Sequence, residues 1–287
     1  MKSPALDYIR VDTLSAALEA FAAEDGDAVY LAGGHSIIPS LTLRLQAPSL
    51  LIDISRIAEL SGVALEDGWL RIGAMTRHVE ALTNPLIGEY ASLFTAAAPY
   101  VAHPAIRNRG TIGGSISFAD PASEFPAVAV ALRCEFEVVG ANGARRIPAD
   151  DFFLGLYETA IAPGEILRSI YVPPAVAGQV VVFDELARRR GDYAMVGAGL
   201  QAVMNVGCVD DISIAFFSVG LKPVRAASAE VVLRGTNLDA AVIASAQAAL
   251  ADDLDPDDQP DMPASMRMHL ARVVMGRLLG KLKTVDE

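Results

Sequence analysis

The sequence predicts an α+β fold divided into two domains. Its 287 residues correspond to about two domains by length, and 52% of them are hydrophobic, which is enough to bury a core. Short apolar strands and helices follow one another as far as Pro173-Pro174, where we place the boundary between domains 1–174 and 175–287. Beyond it, a run of strands precedes a run of helices, an order typical of an antiparallel sheet covered by helices.

In the first third of the chain, the sequence predicts a compact unit in which helices and strands alternate. They are a helix at 13–25, a strand at 28–32, a helix at 39–45 and strands at 50–54 and 69–72. The first helix follows Thr13, a residue type that caps helices, and Leu14, Leu18 and Phe21 recur at helical spacing behind it. Pro39 is suited to the first turn of the second helix.

For the rest of the first domain, the sequence predicts helices and then a hairpin. The elements are helices at 78–82 and 86–98, an apolar stretch at 125–132 and strands at 136–139, 145–147 and 167–172. Pro99 and Pro104 end the helical region. The Asn142-Gly143 pair is a turn signal, so the two strands around it form a hairpin.

For the second domain, the sequence predicts a three-stranded meander and two helices. The strands are expected at 180–189, 197–205 and 212–219, and the helices at 238–251 and 264–282. Met266, Leu270, Val274 and Leu278 lie on one face of the last helix, which is therefore amphipathic.

Two glycine-rich loops are the most informative local feature. Each of the segments Ala32-Gly33-Gly34-His35-Ser36 and Thr111-Ile112-Gly113-Gly114-Ser115 places a Gly-Gly pair after an apolar residue or run. Glycine lets the backbone approach a ligand closely, and successive N–H groups in such a turn form a concave nest for an anion. Two nests in one chain indicate a diphosphate held from both sides, and hence a dinucleotide cofactor. The alternative is that both segments are ordinary turns.

The surroundings of both loops favour an anion. No Asp or Glu occurs at 28–52 or at 90–119, although the chain as a whole has a net charge of −12. Arg44, Arg107 and Arg109 fall inside these acid-free stretches. Nearby carboxylates would repel a pyrophosphate, so their absence suits such a ligand.

The composition excludes several other classes of protein. An acidic chain without a basic stripe is a poor partner for nucleic acid. No apolar run approaches the ~20 residues of a membrane span, and the N-terminal residues contain no apolar stretch of signal-peptide length. We therefore expect a cytoplasmic protein with no membrane span.

Metal chemistry is not expected in this chain. The two cysteines, Cys134 and Cys208, are far apart, whereas an iron–sulfur cluster needs about four thiolates. The four histidines, His35, His78, His103 and His269, form no HxxxH or HExxH pair, so no metal site is predicted.

A competing nucleotide motif occurs in the second domain. Gly197-Ala198-Gly199-Leu200-Gln201-Ala202 fits the pattern GxGxxA of dinucleotide-binding folds. That motif should open a helix and be followed about 20 residues later by an acidic residue. Here the segment continues as a strand, and 219–222 contains no acid. We expect a strand rather than a Rossmann site.

No catalytic set stands out among the polar residues. Ser36 and Ser115 follow Gly-Gly but lack a G-x-S-x-G context, so phosphate contacts suit them better than nucleophilic attack. Glu124 is either a lone general acid or base or, as we prefer, a cap or ribose-hydroxyl ligand. Tyr193 follows the Gly191-Asp192 turn signal, and its ring either covers a flat cofactor or packs in the core.

Five motifs together resemble one family. AGGHSIIP at 32–39, NRGTIGGS at 108–115, DPASEFPA at 120–127, GEIL at 164–167 and RRRGDYA at 188–194 stand in its order and spacing. The chain resembles the FAD-binding medium subunit of the molybdenum hydroxylases, the group that includes carbon monoxide dehydrogenase and xanthine dehydrogenase. The resemblance implies a two-subdomain FAD domain of the vanillyl-alcohol-oxidase (PCMH) type, with subdomains of about 1–56 and 57–174. It also implies a C-terminal three-stranded antiparallel sheet with helices.

The resemblance also assigns the residues that contact FAD. Backbone N–H groups of both glycine loops would hold the diphosphate, Glu124 would meet a polar part of FAD and Tyr193 would lie against the isoalloxazine. The implied contact residues are Ala32, Gly33, Gly34, His35, Ser36, Ile37, Ile38, Val101, Thr111, Ile112, Gly113, Gly114, Ser115, Glu124, Leu167 and Tyr193. No catalytic or metal-binding residue is implied.

Two positions depart from the family pattern. Glu124 stands where relatives often have Asp, which is one methylene shorter. Glu185, in Phe183-Asp184-Glu185-Leu186, stands where relatives often carry Lys. A cation near the flavin would favour its anionic reduced form and a carboxylate would not, so the sequence leaves the flavin potential and the acceptor preference open.

The resemblance implies an electron-transfer flavoprotein. Substrate would be hydroxylated at a molybdenum–pterin centre in a large subunit, and two [2Fe–2S] clusters in a small subunit would pass electrons to FAD in this chain. The assembly implied is a dimer of heterotrimers. Two alternatives stay open, namely a self-sufficient FAD oxidase or reductase of the same fold and a flavin-free assembly protein.

Overall fold

The computed structural model describes residues 3–260 and 262–286, and the side chains as far as residue 283. The first unit is a three-stranded parallel sheet in the order β1-β3-β2. Its elements are β1 (Asp7–Arg10), α1 (Leu14–Ala23), β2 (Ala28–Leu31), α2 (Ile37–Thr42) and β3 (Leu50–Asp53). Thr13 caps α1 as predicted, because its side chain accepts a hydrogen bond from the N–H of Ala16 at 3.2 Å.

The second unit is a five-stranded antiparallel sheet in the order β4-β5-β10-β6-β7. Its strands are β4 (Val63–Glu66), β5 (Trp69–Gly73), β6 (Glu135–Gly140), β7 (Gly143–Pro148) and β10 (Ile166–Val172). A short 3-10 helix at Ala58–Leu60 leads into this sheet. The hairpin predicted around Asn142-Gly143 is present as β6 and β7.

Short helices and a small hairpin cover this sheet. They are α3 (Glu80–Thr83), α4 (Pro85–Tyr90), α5 (Ser92–Ala97), α6 (Pro104–Arg107), α7 (Ile112–Phe118), α8 (Glu124–Ala131), α9 (Ala149–Phe152), β8 (Phe153–Gly155) and β9 (Glu158–Thr159). The single helix predicted at 86–98 is two helices, because the backbone at Ala91 leaves the helical region with φ −141°. Every residue of α8 from Phe125 to Ala131 is buried, which explains its apolar sequence.

The C-terminal part is an antiparallel sheet covered by helices, as predicted. Its elements are β11 (Gln179–Ala187), β12 (Ala194–Asn205), β13 (Cys208–Phe217), β14 (Val224–Arg225), α10 (Ala227–Leu233), α11 (Ala240–Asp253) and α12 (Ala264–Asp286). The three long strands form the predicted meander. The two-residue strand β14 joins its edge, and α10 is a helix that the sequence pattern did not predict.

The two faces of the C-terminal sheet belong to different cores. Val196, Ala198 and Leu200 pack with the C-terminal helices, whereas Phe183 and Phe217 belong to the core of the first part of the chain. Alternate side chains of a strand point to opposite faces, which is how one sheet serves both cores. The domain division at residue 174 stays a prediction.

The GxGxxA segment lies within β12 and does not open a helix. A Cβ atom at Gly197 would lie 2.1 Å from the Phe217 ring, and one at Gly199 would lie 3.2 Å from Leu93. The two glycines therefore make room for side chains that pack on the sheet. The prediction of a strand here is confirmed, and packing explains the motif.

Candidate functional site

A single cavity of 670 Å³ contains both glycine loops. It lies between β2, the start of α7, the start of α8, strand β10 and the turn before β12. Most of the predicted contact residues line it, namely Ala32, Gly33, Gly34, His35, Ser36, Ile37, Val101, Thr111, Gly113, Gly114, Ser115, Glu124, Leu167 and Tyr193. The fold therefore brings together segments that are up to 160 residues apart in the sequence.

The two loops lie against each other. A Cβ atom at Gly33 would lie 2.6 Å from the carbonyl oxygen of Arg109, so this position leaves no room for a side chain without separating the loops. A Cβ atom at Gly114 would lie 2.6 Å from Thr111 Oγ1 of its own loop and at an ordinary contact distance of 3.7 Å from the Cβ of Ala32. Gly33 is therefore needed for the close approach of the two backbones, and Gly114 for the turn that begins α7.

The first loop presents unused hydrogen-bond donors. Strand β2 ends at Leu31, and Gly34 takes a left-handed conformation with φ +82°. No described residue accepts a hydrogen bond from the backbone N–H groups of Gly33, Gly34, His35 or Ser36. Adjacent free N–H groups facing a cavity form an anion nest, so this loop fits the diphosphate role that the sequence predicted.

The second loop differs from the prediction. The N–H groups of Ile112 and Gly113 donate to the carbonyls of Thr76 and Ala74, each at 2.9 Å. The N–H of Gly114 donates to Thr111 Oγ1 at 3.0 Å. The N–H of Ser115 donates to the carbonyl of Thr111 at 3.0 Å. The N–H groups of Ile112, Gly113, Gly114 and Ser115 are thus used in starting α7. The N–H of Thr111, from which no described residue accepts a hydrogen bond, and the hydroxyl of Ser115 are the polar groups that this loop offers to a ligand.

Two predicted contact residues do not line the cavity. Ile38 lies in α2 with 44% of its surface exposed, and its N–H donates to the carbonyl of Gly34 at 3.2 Å. The side chain of Ile112 is completely buried in the core. The helices that follow the loops place both side chains away from the cavity, because Ile38 of α2 is exposed and Ile112 of α7 belongs to the core.

A buried histidine that the sequence did not assign supports the second loop. His78 Nε2 lies 2.8 Å from the carbonyl oxygen of Thr111, and its ring meets Phe125 edge-on with 5.0 Å between centroids. Burial lowers the pKa of His78 to about 4, so the ring is neutral and donates this hydrogen bond through Nε2. A lone histidine in an otherwise helical stretch carried no signal for this role.

Positive charge lies around the first loop. Burial and then the charges of Arg109 and Arg77 lower the pKa of His35. Arg77 donates a hydrogen bond to the carbonyl of Arg109, and Arg107 donates to the carbonyl of Val101 at 2.9 Å. These arginines therefore shape the cavity wall and add a positive potential that favours an anion.

The opposite end of the cavity is acidic and aromatic. Glu124 is the first residue of α8, and burial followed by the charge of Asp120 raises its pKa to about 7.

Tyr193 is the most exposed aromatic residue at this end of the cavity, with 73% of its surface accessible, and it stands on a turn whose Gly191 packs against His103. Phe118 also lines this end, with its ring 4.9 Å from that of Tyr157. Loss of water around the hydroxyl and the charge of Asp120 raise the pKa of Tyr193 to about 12, so Tyr193 remains protonated at neutral pH.

Comparison with known protein families identifies the family to which this chain belongs. A model described as the FAD binding domain in molybdopterin dehydrogenase matches residues 4–175. A second, described as the CO dehydrogenase flavoprotein C-terminal domain, matches residues 181–282. The chain belongs to the FAD-binding subunit family of the molybdopterin dehydrogenases. The resemblance noted from the five motifs is thereby confirmed.

Individual relatives in this family are similar over most of the chain. The 6-hydroxypseudooxynicotine dehydrogenase complex subunit alpha of Paenarthrobacter nicotinovorans is 36% identical over 98% of this chain and 95% of its own length. The carbon monoxide dehydrogenase medium chain of Hydrogenophaga pseudoflava is 36% identical over 78% of each chain.

Solved structures in the family confirm the fold. A chain of carbon monoxide dehydrogenase from Hydrogenophaga pseudoflava matches with a TM-score of 0.95 and 34% identity over 98% of both chains. A chain of quinoline 2-oxidoreductase from Pseudomonas putida 86 matches with a TM-score of 0.94 and 32% identity over 99% of both. The predicted arrangement of a PCMH-type FAD domain and a flavoprotein C-terminal domain is therefore correct.

Two further features bear on the class of protein. No helix in residues 3–260 and 262–286 is long and apolar enough to cross a membrane. Within the same residues, no group of three or more His, Cys, Asp or Glu side chains is arranged to hold a metal ion.

Proposed function

We propose that this chain is the FAD-containing electron-transfer subunit of a heterotrimeric molybdenum hydroxylase or dehydrogenase. The observation that carries the proposal is the row of unpaired N–H groups at Gly33–Ser36 facing a cavity of 670 Å³ that the second glycine loop closes. FAD bound there supplies the redox chemistry, accepting electrons from a partner subunit and delivering them to an external acceptor.

The residues of the cavity divide into three groups by role. The first loop holds the diphosphate with its backbone N–H groups, supported by the hydroxyl of Ser115 on the second loop. The apolar side chains of Val101 and Leu167 line the cofactor. Glu124 meets a polar part of FAD, and Tyr193 lies against the isoalloxazine, where its exposed ring controls access from outside.

The partners are those that membership of the family implies. We assign two [2Fe–2S] clusters to a small subunit and the molybdenum–pterin to a large subunit. The two cysteines of this chain are too few to ligate an iron–sulfur cluster, which agrees with that division. Both similar relatives named above are called a complex subunit or a medium chain, which supports this assembly. We further propose a dimer of heterotrimers located in the cytoplasm.

An absorption spectrum tests this proposal. We expect flavin bands near 370 and 450 nm, about the usual positions for oxidised flavin, both in the purified complex and in this chain produced alone and supplied with FAD. Additional iron–sulfur absorbance should occur only in the complex. A chain that stays colourless when FAD is added would contradict the cofactor assignment. Oxidation of an organic substrate by the chain alone would contradict the proposal that the substrate reacts in a partner subunit.

A further inference from the structure

A second cavity, of 610 Å³, shares the turn at 191–193 with the cofactor cavity. Parts of three other segments complete its wall, namely the loop before α8, the chain that follows β13, and the start of α12 with the residues that precede it. Its volume lies within the range of about 300–1,000 Å³ that is usual for small-molecule sites. No residue of the first glycine loop lines it, so it is distinct from the diphosphate site.

Two buried polar side chains in this wall have unused hydrogen-bonding groups. Arg267 is 8% exposed; its Nη2 donates to Gln259 Oε1 at 2.7 Å, but its Nε is buried and has no partner. Ser218 is 9% exposed, and its hydroxyl oxygen is also buried without a partner. Because buried polar groups are normally hydrogen-bonded, two such groups in the wall of one cavity indicate a place for the oxygen atoms of a ligand.

The backbone holds both groups in position. Ser218 has a left-handed conformation with φ +58°, which is uncommon for a residue other than glycine, and its N–H donates to the carbonyl of Pro121 at 2.8 Å. Before α12, Gln259 and Met262 exchange backbone hydrogen bonds at 3.2 and 3.0 Å, and the side chain of Gln259 in turn binds Arg267. The two groups are therefore pre-organised, which lowers the cost of binding a ligand.

The charge of this wall is opposite to that of the whole chain. The described charged side chains that line the cavity are Arg188, Arg267 and Asp192. Two positive charges and one negative charge leave one positive charge, in a chain whose net charge is −12. No carboxylate among the described residues pairs with Arg267, whose one hydrogen bond there goes to a neutral amide. A ligand with a single negative charge complements this arrangement.

Apolar side chains form much of the remaining wall. Met195 and Met262 contribute flexible side chains that adapt to an apolar ligand. We propose that the second cavity binds a small organic monocarboxylate, whose carboxylate contacts Arg267 and Ser218 and whose apolar body lies against the two methionines. A planar guanidinium group matches the geometry of a carboxylate, which favours this class of anion.

The shared turn couples this site to the cofactor cavity. Gly191, Asp192 and Tyr193 line both cavities, so a ligand in the second cavity restricts the movement of the turn that carries the Tyr193 ring. In the proposed function that ring lies against the isoalloxazine, and a bound carboxylate would therefore change the environment of the flavin. This coupling rests on the proposed function, whereas carboxylate binding itself does not.

Calorimetric titration of the full flavin-free chain tests the site, with benzoate as the probe and benzamide as its uncharged analogue. We expect Arg267→Gln to weaken benzoate binding by roughly 10- to 100-fold, because it removes a hydrogen bond between charged groups. Benzamide should bind the wild type at least about 10-fold more weakly than benzoate for the same reason. Arg277→Gln, at an exposed position of the same helix, is the matched control and should bind benzoate like the wild type. Equal benzoate affinities in the wild type and Arg267→Gln would overturn the proposal.

A milder variant keeps the test valid if Arg267→Gln does not fold. Ser218→Ala removes only the hydroxyl group and should weaken benzoate binding about 5-fold, the effect of losing one hydrogen bond of about 1 kcal/mol. Ser265→Ala, at an exposed position in the first turn of α12, is its control and should leave the affinity unchanged. A wild-type affinity in Ser218→Ala would contradict the role given to this hydroxyl.

The absorption spectrum of the FAD-loaded protein tests the coupling. Benzoate should shift the flavin bands of the wild type and leave those of Arg267→Gln unchanged. Bound benzoate that does not alter the wild-type spectrum would overturn the coupling. Benzoate binding that depends on Arg267 in a chain unable to bind FAD would refute the proposed function and leave the carboxylate site standing. FAD binding without benzoate binding that depends on Arg267 would refute the carboxylate site alone.

Discussion

At Gly33 the two glycine loops come into backbone contact. A Cβ atom there would lie 2.6 Å from the carbonyl oxygen of Arg109 and 2.9 Å from the Cα of Gly110, both of which are backbone atoms that cannot rotate away. The N–H of Gly33 is also one of the unpaired donors facing the cavity. One atom added at this residue therefore disturbs both the contact between the loops and the anion nest.

We predict that Gly33→Ala weakens FAD binding by at least about 100-fold, because losing two hydrogen bonds to a charged group costs about 1.5 kcal/mol each. Titration of the flavin-free chain with FAD measures the effect. Gly88→Ala is the matched control, since Gly88 lies in α4 with nothing within 4 Å of an added Cβ. Gly88→Ala should bind FAD like the wild type, and an unchanged affinity in Gly33→Ala would show that this loop does not carry the diphosphate.

At the scale of the element, a buried acid ties α10 to the edge of the C-terminal sheet. Glu230 is 1% exposed and accepts hydrogen bonds from the N–H of Ile214, from Nε and Nη2 of Arg225 at 2.9 Å, and from Nη2 of Arg234 at 3.2 Å. Arg225 also reaches Asp150 of the first domain at 3.1 Å. A short helix without strong sequence periodicity is thus held by a charge network.

Removing this acid should destabilise the protein. We predict that Glu230→Ala lowers the free energy of unfolding by about 3 kcal/mol, the low end for breaking a buried ion pair, because the two arginines that remain are partly exposed. Urea unfolding at neutral pH measures the loss. The exposed Glu59→Ala should change stability by less than about 0.5 kcal/mol. A similar small change in Glu230→Ala would mean that the network is not stabilising.

At the scale of the whole molecule, one of the hydrophobic cores contains residues of both predicted domains. Phe183, Ala194, Ala215 and Phe217 of the C-terminal sheet are buried together with the helices of the first domain. Arg133 of the first domain also makes a bidentate ion pair with Asp211 of β13, at 2.6 and 3.0 Å, and this pairing lowers the pKa of Asp211. The interface is therefore a continuation of the interior rather than a surface contact.

We predict that a fragment of residues 1–174 does not fold stably alone, because it would expose the apolar faces of α5 and α8 that Phe183 and Phe217 cover. Separate production of fragments 1–174 and 175–287 should yield aggregated or dye-binding species, whereas joint production should yield a complex that binds FAD. A monomeric 1–174 fragment with cooperative unfolding would show that the first core is complete without the C-terminal sheet.

Much of the secondary structure could be predicted from local sequence. Thr13 and the apolar spacing behind it locate α1, and Asn142-Gly143 locates the β6–β7 hairpin, because caps and turns depend on a few neighbouring residues. The break at Ala91 and the helix α10 were not predictable in this way. The first depends on packing between short helices, and the second depends on the buried charge of Glu230 and its partly exposed arginine partners.

The sequence by itself determined the family and the two glycine loops, since the motifs that carry them are local, and most of the contact residues that it predicted line the cavity. Only the tertiary structure decided how the loops are used. In the second loop, the N–H groups of Ile112 and Gly113 pair with Thr76 and Ala74, and those of Gly114 and Ser115 pair with Thr111. The row of adjacent free donors among the described residues therefore lies in the first loop. His78 beneath Thr111 likewise acquires its environment from contacts between distant segments, which no local pattern records.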